Sequence, residues 1–198
     1  MARQYFDSMT GESTLSAISI TPTTTKTFLF TQAQASQFLA LPYGVNALSM
    51  PYTGQIFNVN MGGLLTTPGS GTLVIDPVHG IGTSSTAGGT DLGASAAQTV
   101  TVSLSSVPWY LTGFLTYRSI SAAATSSTAW FTGSFESQGT LATAGGGFGI
   151  IMGSTAAVSV DTTGAGSAGT FGGLNFYVTF SVTGGTISCQ WCNIRSLN

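Results

Sequence analysis

Charged side chains are the scarcest class in this sequence. Only four basic and six acidic residues occur among 198, or 5% of the chain, whereas about a quarter of an average soluble domain is charged. The basic residues are too few and too scattered to form the positive face that binds nucleic acids or anionic membranes; they are Arg3, Lys26, Arg118 and Arg195. The composition therefore predicts no nucleic-acid partner and no membrane partner.

Long apolar runs are missing as well. Apolar stretches such as residues 148–152 are far shorter than the roughly 20 residues of a membrane-spanning helix. The chain starts without the basic segment and apolar middle of a signal peptide, so we expect assembly in a reducing cytoplasm. A length of 198 residues suits one domain with a substantial core.

Cysteine is scarce, and Cys189 and Cys192 are the two examples. The residues around them alternate like a β-strand, in which side chains three positions apart point to opposite faces and lie about 10 Å apart. That separation exceeds the reach of a disulfide. A zinc site would need two further ligands, and His79 is the single histidine. We therefore expect one buried thiol, one thiol near the surface or a subunit contact, and no metal or cofactor.

The single histidine also limits catalysis, because any Ser-His-Asp triad must use His79. Asp76 lies three residues away, but the sequence lacks a G-x-S-x-G nucleophile elbow, and we expect Asp76 to end a strand and bond turn amides. A glycosidase needs two neighbouring carboxylates, which only folding could bring together from Asp76, Asp91, Glu136 and Asp161. The sequence predicts a protein that is not an enzyme and has no catalytic residues.

Serine, threonine, glycine and alanine dominate, and the short β-branched and aromatic runs between them alternate with period two. Helical patterns are nearly missing, with one candidate turn at residues 32–39. The predicted strands are residues 15–20, 55–60, 72–75, 99–104, 110–120, 128–136, 156–160, 176–182 and 187–194. Many short strands without helices between them predict an all-β fold: an antiparallel β-sandwich, jelly-roll-like, with a closed barrel as the alternative.

Two aromatic segments repeat a similar pattern. Trp109 and Trp130 each open a short run in which aromatic residues flank a Thr-Gly step. With the loop at residues 121–127 between them, they predict neighbouring strands of one hairpin. Further along, twelve of the 27 glycines fall between Gly133 and Gly173. This concentration favours either long loops that approach a partner closely or sandwich turns that merely tolerate glycine.

Charges cluster near the start of the chain, where four of the ten charged residues lie in the first 26 positions beside aromatic residues. This mixture favours an extended N-terminal arm that docks on another protein, with an ordinary frayed terminus as the alternative. We therefore divide the chain into an N-terminal arm, residues 1–26, and a single β-sandwich domain, residues 27–198. The predicted interface residues of the arm are Arg3, Tyr5, Phe6, Asp7 and Glu12.

A sandwich built from this sequence must cover itself with neutral hydroxyls, amides and glycine. A low net charge weakens self-repulsion, and neutral polar contacts avoid the cost of burying ions. Such an exterior favours packing against other subunits. The aromatic residues that could serve either in the core or as interface anchors are Tyr43, Tyr52, Trp109, Tyr110, Trp130 and Trp191.

Four segments together carry a resemblance to a class of viral proteins. They are Gly-Thr-Leu-Val-Ile-Asp-Pro from Gly71, Asp-Leu-Gly-Ala-Ser-Ala-Ala-Gln-Thr-Val from Asp91, Val-Pro-Trp-Tyr-Leu-Thr-Gly-Phe-Leu-Thr-Tyr-Arg from Val107, and Trp-Cys-Asn-Ile-Arg-Ser-Leu-Asn from Trp191. In their composition and in their order along the chain, these segments resemble small virion structural proteins of tailed bacteriophages, most closely capsid decoration or cement proteins. The resemblance covers about residues 60–198 and carries over no catalytic or ligand residue.

The resemblance implies a non-enzymatic capsid decoration protein that reinforces the shell. Its partners would be the major capsid protein and further copies of itself in a homotrimer, and its place would be the outer capsid surface of the virion after assembly in the host cytoplasm. One alternative is a structural protein of the phage tail, as a tube, collar or fibre component. Another is a carbohydrate-binding module that uses Trp109 or Trp130 as a sugar platform.

Overall fold

The computed structural model describes residues 18–20, 24–30, 52–81, 89–121, 127–137, 148–160 and 171–197. The five predicted interface residues of the arm and the predicted helical turn lie outside these ranges. Within them the chain forms strands only: β1 (Ile18–Ile20), β2 (Thr27–Phe28), β3 (Ile56–Thr66), β4 (Thr72–Ile81), β5 (Thr90–Asp91), β6 (Gln98–Thr99), β7 (Val107–Ser119), β8 (Ser127–Ser137), β9 (Phe148–Gly153), β10 (Val158–Val160), β11 (Phe171–Phe180) and β12 (Thr186–Ser196). No helix suited to crossing a bilayer occurs in the described part of the chain.

The strands form two antiparallel sheets. The larger sheet has the order β1-β12-β3-β7-β8-β10, with β9 also paired to β8, and the smaller has the order β2-β11-β4-β5, with β6 paired to β4. The sheets pack against each other, which confirms the predicted all-β antiparallel sandwich. The predicted hairpin is also confirmed, because β7 and β8 pair along almost their whole length, from Trp109 opposite Ser137 to Ser119 opposite Thr128.

Alternate residues of both sheets fill the core between them. On β7 the inward positions include Leu111, Leu115 and Tyr117, and β11 supplies Phe176 and Phe180 from the other sheet. Each of these side chains is at most 1% exposed, and burial of a side chain of this size contributes roughly 1.5–3 kcal/mol. The apolar residues that alternate with period two in the sequence thus form one continuous layer between the two sheets.

Strand β4 is longer than the sequence pattern indicates. It was expected to end at residue 75, but it continues through Pro77 to Ile81. The carbonyl of Pro77 accepts a hydrogen bond from the Leu92 amide at 2.9 Å. Because N–H and C=O of one residue point to the same side of an antiparallel strand, the missing N–H of Pro77 faces the short β5, and the ladder to β11 is kept.

The predicted strand at residues 99–104 is wrong beyond Thr99, where β6 ends. Here the side chain of Thr67 replaces a partner strand. Its hydroxyl donates to the Val102 carbonyl at 2.6 Å and accepts from the Leu104 amide at 2.9 Å. The Thr67 amide also donates to the Leu104 carbonyl at 3.0 Å. One threonine therefore satisfies backbone groups that would otherwise need a ladder.

Candidate functional site

The candidate site is the solvent-facing side of β12, β3, β7, β8 and β9 in the larger sheet, called the outer face below. Its residues alternate with the core positions of the same strands. The registers place Trp191, Gly62, Tyr110 and Glu136 in one row across four strands. Exposed large apolar side chains collect on this face, which is the usual mark of a binding surface; they are Leu64, Tyr110, Phe114, Ile151 and Trp191.

Trp191 and Tyr110 form an exposed aromatic pair in this row, on either side of β3. Their ring centroids lie 5.7 Å apart with a tilt of 34°, and the side chains are 45% and 38% exposed. Gly62 lies between them, and a Cβ there would come within 2.9 Å of indole carbons of Trp191. The absence of a side chain at Gly62 therefore lets the indole lie across β3.

A β-bulge explains why Trp191 points outward. The register of β12 against β3 shifts between Cys189 and Trp191, so that Gln190 is the extra residue. Bulges re-aim the side chains that follow them. Cys189 thus faces the core, Trp191 faces solvent, and Cys192 returns to the core side, where it packs against the buried cluster.

The bulge also changes the interpretation of the two thiols. Both are free, and the prediction that they point to opposite faces is wrong because of the extra residue in β12. Burial raises the pKa of Cys189 to about 12 and also raises the pKa of Cys192 well above its usual range. Both sulfurs are therefore protonated and weakly nucleophilic at neutral pH.

The polar groups at the centre of the outer face bond to one another. Asn60 Oδ1 accepts hydrogen bonds from the Tyr110 hydroxyl at 2.6 Å and from the Thr112 hydroxyl at 3.0 Å. Asn60 Nδ2 donates to Asn58 Oδ1, which also accepts from Arg195 Nε at 3.3 Å. Asn193 Oδ1, on β12 opposite Asn60, is the exception, because it is buried without a hydrogen-bond partner among the described residues. Polar atoms that already have partners can be covered without a large desolvation cost.

Opposite charges flank this polar network. Glu136 lies on β8 and Arg195 on β12, and both are exposed. Neither forms an ion pair within the described ranges. An open depression of about 280 Å³ adjoins Glu136, and its lining residues are Pro108, Trp109, Tyr110, Glu136 and Ser137. The face therefore combines an apolar aromatic centre with one acidic side chain, Glu136, and two basic ones, because the exposed Arg118 of β7 lies on it as well as Arg195.

The structure separates the two tryptophans predicted as sugar platforms. Trp109 is only 4% exposed, stacks on Phe135 with ring centroids 5.3 Å apart, and donates its Nε1–H to the Ser188 carbonyl at 3.0 Å. It is a core residue, so a platform at Trp109 is excluded. Trp130 is partly exposed and donates its Nε1–H to the Ser154 carbonyl at 2.7 Å. The most exposed tryptophan is Trp191 instead.

Asp76 and His79 lie in different surroundings, although they share β4. Asp76 pairs with Lys26 through a 2.6 Å contact between its Oδ2 and the Lys26 ammonium, so the prediction that it bonds turn amides is wrong. His79 Nε2 lies 2.7 Å from the hydroxyl of the buried Tyr117. The two residues therefore do not form the Asp–His pair that a catalytic triad needs.

Asp76 is a buried carboxylate with an unusual protonation equilibrium. Burial raises its pKa from 3.8 to about 6; the hydrogen bond from Lys26 opposes this change, and the charge of Asp91 adds to it. Its Oδ1 atom is buried and has no hydrogen-bond partner among the residues that the structure describes. Folding thus brings two of the four isolated carboxylates near each other, while Glu136 lies on the other sheet and Asp161 falls outside the described ranges.

We expect Asp76→Asn to flatten the pH dependence of stability. Since the native pKa is about 6, the folded chain holds the proton more tightly than the unfolded chain. The wild-type free energy of unfolding should therefore fall as the pH rises from about 4 to 6, by up to about 3 kcal/mol from this group. Urea unfolding at pH 4, 5, 6 and 7 measures the slope.

Glu136→Gln is the control for this measurement, because Glu136 is an exposed carboxylate on the other sheet. Measured in dilute protein, so that contacts between outer faces do not contribute, it should keep the slope of the wild type between pH 4 and 6. If Asp76→Asn keeps the same slope as the wild type, burial does not raise the pKa of the Asp76 carboxylate.

The described part of the chain contains no cluster of three or more histidine, cysteine, aspartate or glutamate side chains that could hold a metal ion. Its distinctive surface is instead the outer face, a sheet surface suited to contact with a large partner. No family model matches the chain, and no curated protein and no solved structure is significantly similar to it.

Proposed function

We propose that this chain is a non-enzymatic phage capsid decoration protein that binds the outer capsid surface and reinforces the shell through subunit contacts. The observation that carries the proposal is the outer face, where exposed aromatic side chains surround a neutral polar network. Exposed apolar surface of this kind favours association with another protein. The resemblance of residues 60–198 to decoration proteins supplies the phage assignment.

The winding of the chain supports the jelly-roll part of the proposal. Strands from opposite ends of the chain lie side by side, with β12 between β1 and β3 and with β11 between β2 and β4. This winding is typical of jelly rolls, an architecture used by many viral capsid domains. A rigid sandwich of this type can hold a binding surface in a fixed shape on a particle.

Two contacts are needed in this proposal, one to the shell and one between copies. Ile18–Ile20 and Lys26 of the predicted arm belong to the sandwich, so the part of the arm before β1 supplies the shell contact to the major capsid protein, through the mixed charged and aromatic residues Arg3, Tyr5, Phe6, Asp7 and Glu12. Copies of the chain meet as a homotrimer on the virion, after assembly in the host cytoplasm.

Co-sedimentation with capsids tests the function. Purified full-length protein is mixed with expanded, emptied shells of the major capsid protein encoded with it. We expect saturable binding in a fixed ratio to the major capsid protein, together with a higher melting temperature of the loaded shells, because a ligand that binds only the intact shell stabilises it.

Tyr5→Ala and Phe6→Ala should weaken this binding and leave the circular dichroism spectrum unchanged. Tyr52→Ala is the matched control, since Tyr52 is an exposed aromatic residue of the sandwich domain. Failure of the wild-type protein to bind shells would contradict the proposal, and binding of only a handful of copies at one vertex or tail would favour a tail protein.

A further inference from the structure

We infer that the outer face is the surface through which copies of this chain bind one another. The inference rests on one statement of the proposed function, namely that the chain forms a homo-oligomer. It commits to one occupant, the outer face of a neighbouring copy in the oligomer, and three features of the described residues support this choice.

The first feature is the size of the surface. Five strands with a spacing of ~4.8 Å span roughly 20 Å, and the 11 residues of β3 extend roughly 35 Å. The resulting area of roughly 700 Å² is close to the ~800 Å² that each partner contributes to a stable interface of standard size. The face is therefore large enough for a specific protein contact and much larger than a single sugar ring needs.

The second feature is the arrangement of apolar and polar groups. Trp191, Tyr110 and Phe114 are 38–45% exposed, and they lie around the polar network that joins Asn58 and Asn60. Central tryptophan and tyrosine residues that lose water on binding provide most of the affinity in known interfaces. Because these network atoms are hydrogen-bonded within one copy, covering them costs little, and a neighbouring copy could supply a donor to Asn193 Oδ1, which is buried without a partner among the described residues.

The third feature is the charge pattern, which makes the face complementary to itself. Glu136 and Arg195 are three strands and two side-chain rows apart, or roughly 20 Å. When two such faces meet with the strands of one copy rotated against those of the other, Glu136 of one copy can approach Arg195 of the next. A cyclic oligomer such as the proposed homotrimer repeats this Glu136–Arg195 contact from each copy to the next, and an unrelated partner would match the charge pattern only by coincidence.

Sedimentation of the full-length chain over a range of concentrations, without capsids, tests the inference. We expect the wild type to be an oligomer and Trp191→Ala to raise its dissociation constant at least tenfold, as loss of a central interface tryptophan does. Tyr52→Ala is the matched control, because Tyr52 is 49% exposed, about as much as Trp191, but precedes β3. It should leave the dissociation constant within twofold of the wild type. Phe114→Ala provides a second face variant if Trp191→Ala does not fold.

A charge exchange tests the predicted contact between copies. Glu136→Arg alone and Arg195→Glu alone should each raise the dissociation constant about tenfold, because each places like charges together at the interface. The double variant should return within about threefold of the wild type. Two weakened single variants without rescue would show that these side chains are not opposite each other and would overturn the assigned pairing.

Two further outcomes would overturn the inference. The first is a wild-type chain that is monomeric at every concentration. The second is an oligomer that none of the face variants weakens, since its contact would then lie elsewhere. If a monomeric chain also shows quenching of Trp191 fluorescence by cellohexaose, and Trp191→Ala removes that quenching, the face is a sugar site instead.

The capsid experiment distinguishes failure of this inference from failure of the proposed function. A monomeric protein that still binds shells would reject the outer face as the self-contact and keep the decoration function. An oligomer that Trp191→Ala dissociates, but that never binds shells, would keep the self-contact and reject the decoration function.

Discussion

Replacing Gly63 with alanine is expected to lower the free energy of unfolding by about 3–5 kcal/mol. Gly63 lies on β3 opposite Cys189 of β12, beside the bulge. A Cβ at this position would overlap the carbonyl oxygen of Ser188. That oxygen belongs to the backbone and cannot rotate away, so the two strands would have to separate and lose ladder hydrogen bonds along the centre of the larger sheet.

Urea unfolding measures this effect, and Gly54→Ala provides the control. Gly54 has a φ of +86°, and a Cβ there would meet nothing within 4 Å. Alanine at Gly54 should cost only about 1–2 kcal/mol, the cost of a left-handed backbone conformation. If Gly63→Ala costs no more than Gly54→Ala, the strands can adjust, and close approach of β3 to β12 is not a requirement of the fold.

Phe131→Ala is the second substitution with a large expected effect, a loss of about 3–5 kcal/mol. The Phe131 ring is fully buried, and it packs on the backbone where Gly113 and Gly133 face each other on β7 and β8. It also meets Phe176 of the other sheet edge to face, with centroids 5.9 Å apart. Alanine would leave a cavity that rigid β-strands on both sides cannot close.

Phe114→Ala is the matched control for Phe131→Ala. Phe114 is the same residue type on the neighbouring strand β7, but it points outward and is 41% exposed. Measured in dilute protein, its substitution should change stability by no more than about 0.5 kcal/mol. If both variants lost the same free energy of unfolding, packing of the two sheets would not depend on Phe131.

Much of the sandwich could be predicted from local alternation. The inward pattern of Phe176, Val178 and Phe180 in β11 agrees with the sequence, and these residues are buried as the period of two requires. The predicted strand ran on to residue 182, but Val182 is 38% exposed and follows the end of β11. A pattern of alternating residues does not show where the partner strand ends, and this explains the difference.

The surroundings of Asp76 could not be predicted, because they depend on distant parts of the chain. Asp-Pro is a typical turn sequence, which is why β4 was expected to end there. The Lys26 ammonium that pairs with the carboxylate lies 50 residues away in sequence, and β11 supplies the neighbouring Tyr177. Only the assembled sheet brings these groups together, so local sequence favoured the wrong structure.

The outer face was predictable in composition but not in position. The shortage of ions and the candidate aromatic anchors Tyr110 and Trp191 follow from the sequence. Their shared row follows from cross-strand registers, and the outward direction of Trp191 follows from the bulge at Gln190. The one local signal is the pair Gly62 and Gly63, two adjacent residues without side chains inside a strand, which often marks a bulge or a close backbone approach.

The bulge that directs both thiols inward has a consequence for how the protein opens. Cys189 is 3% exposed and stays protonated at neutral pH, so an alkylating reagent can reach its sulfur only when β12 detaches from its neighbours, whereas Cys192 is only partly buried. The rate at which Cys189 is alkylated in the native protein therefore measures how often β12 detaches, and no label has to be attached to the protein first. Since β12 also carries Trp191 and Arg195, that rate reports how often this flank of the outer face loses its shape.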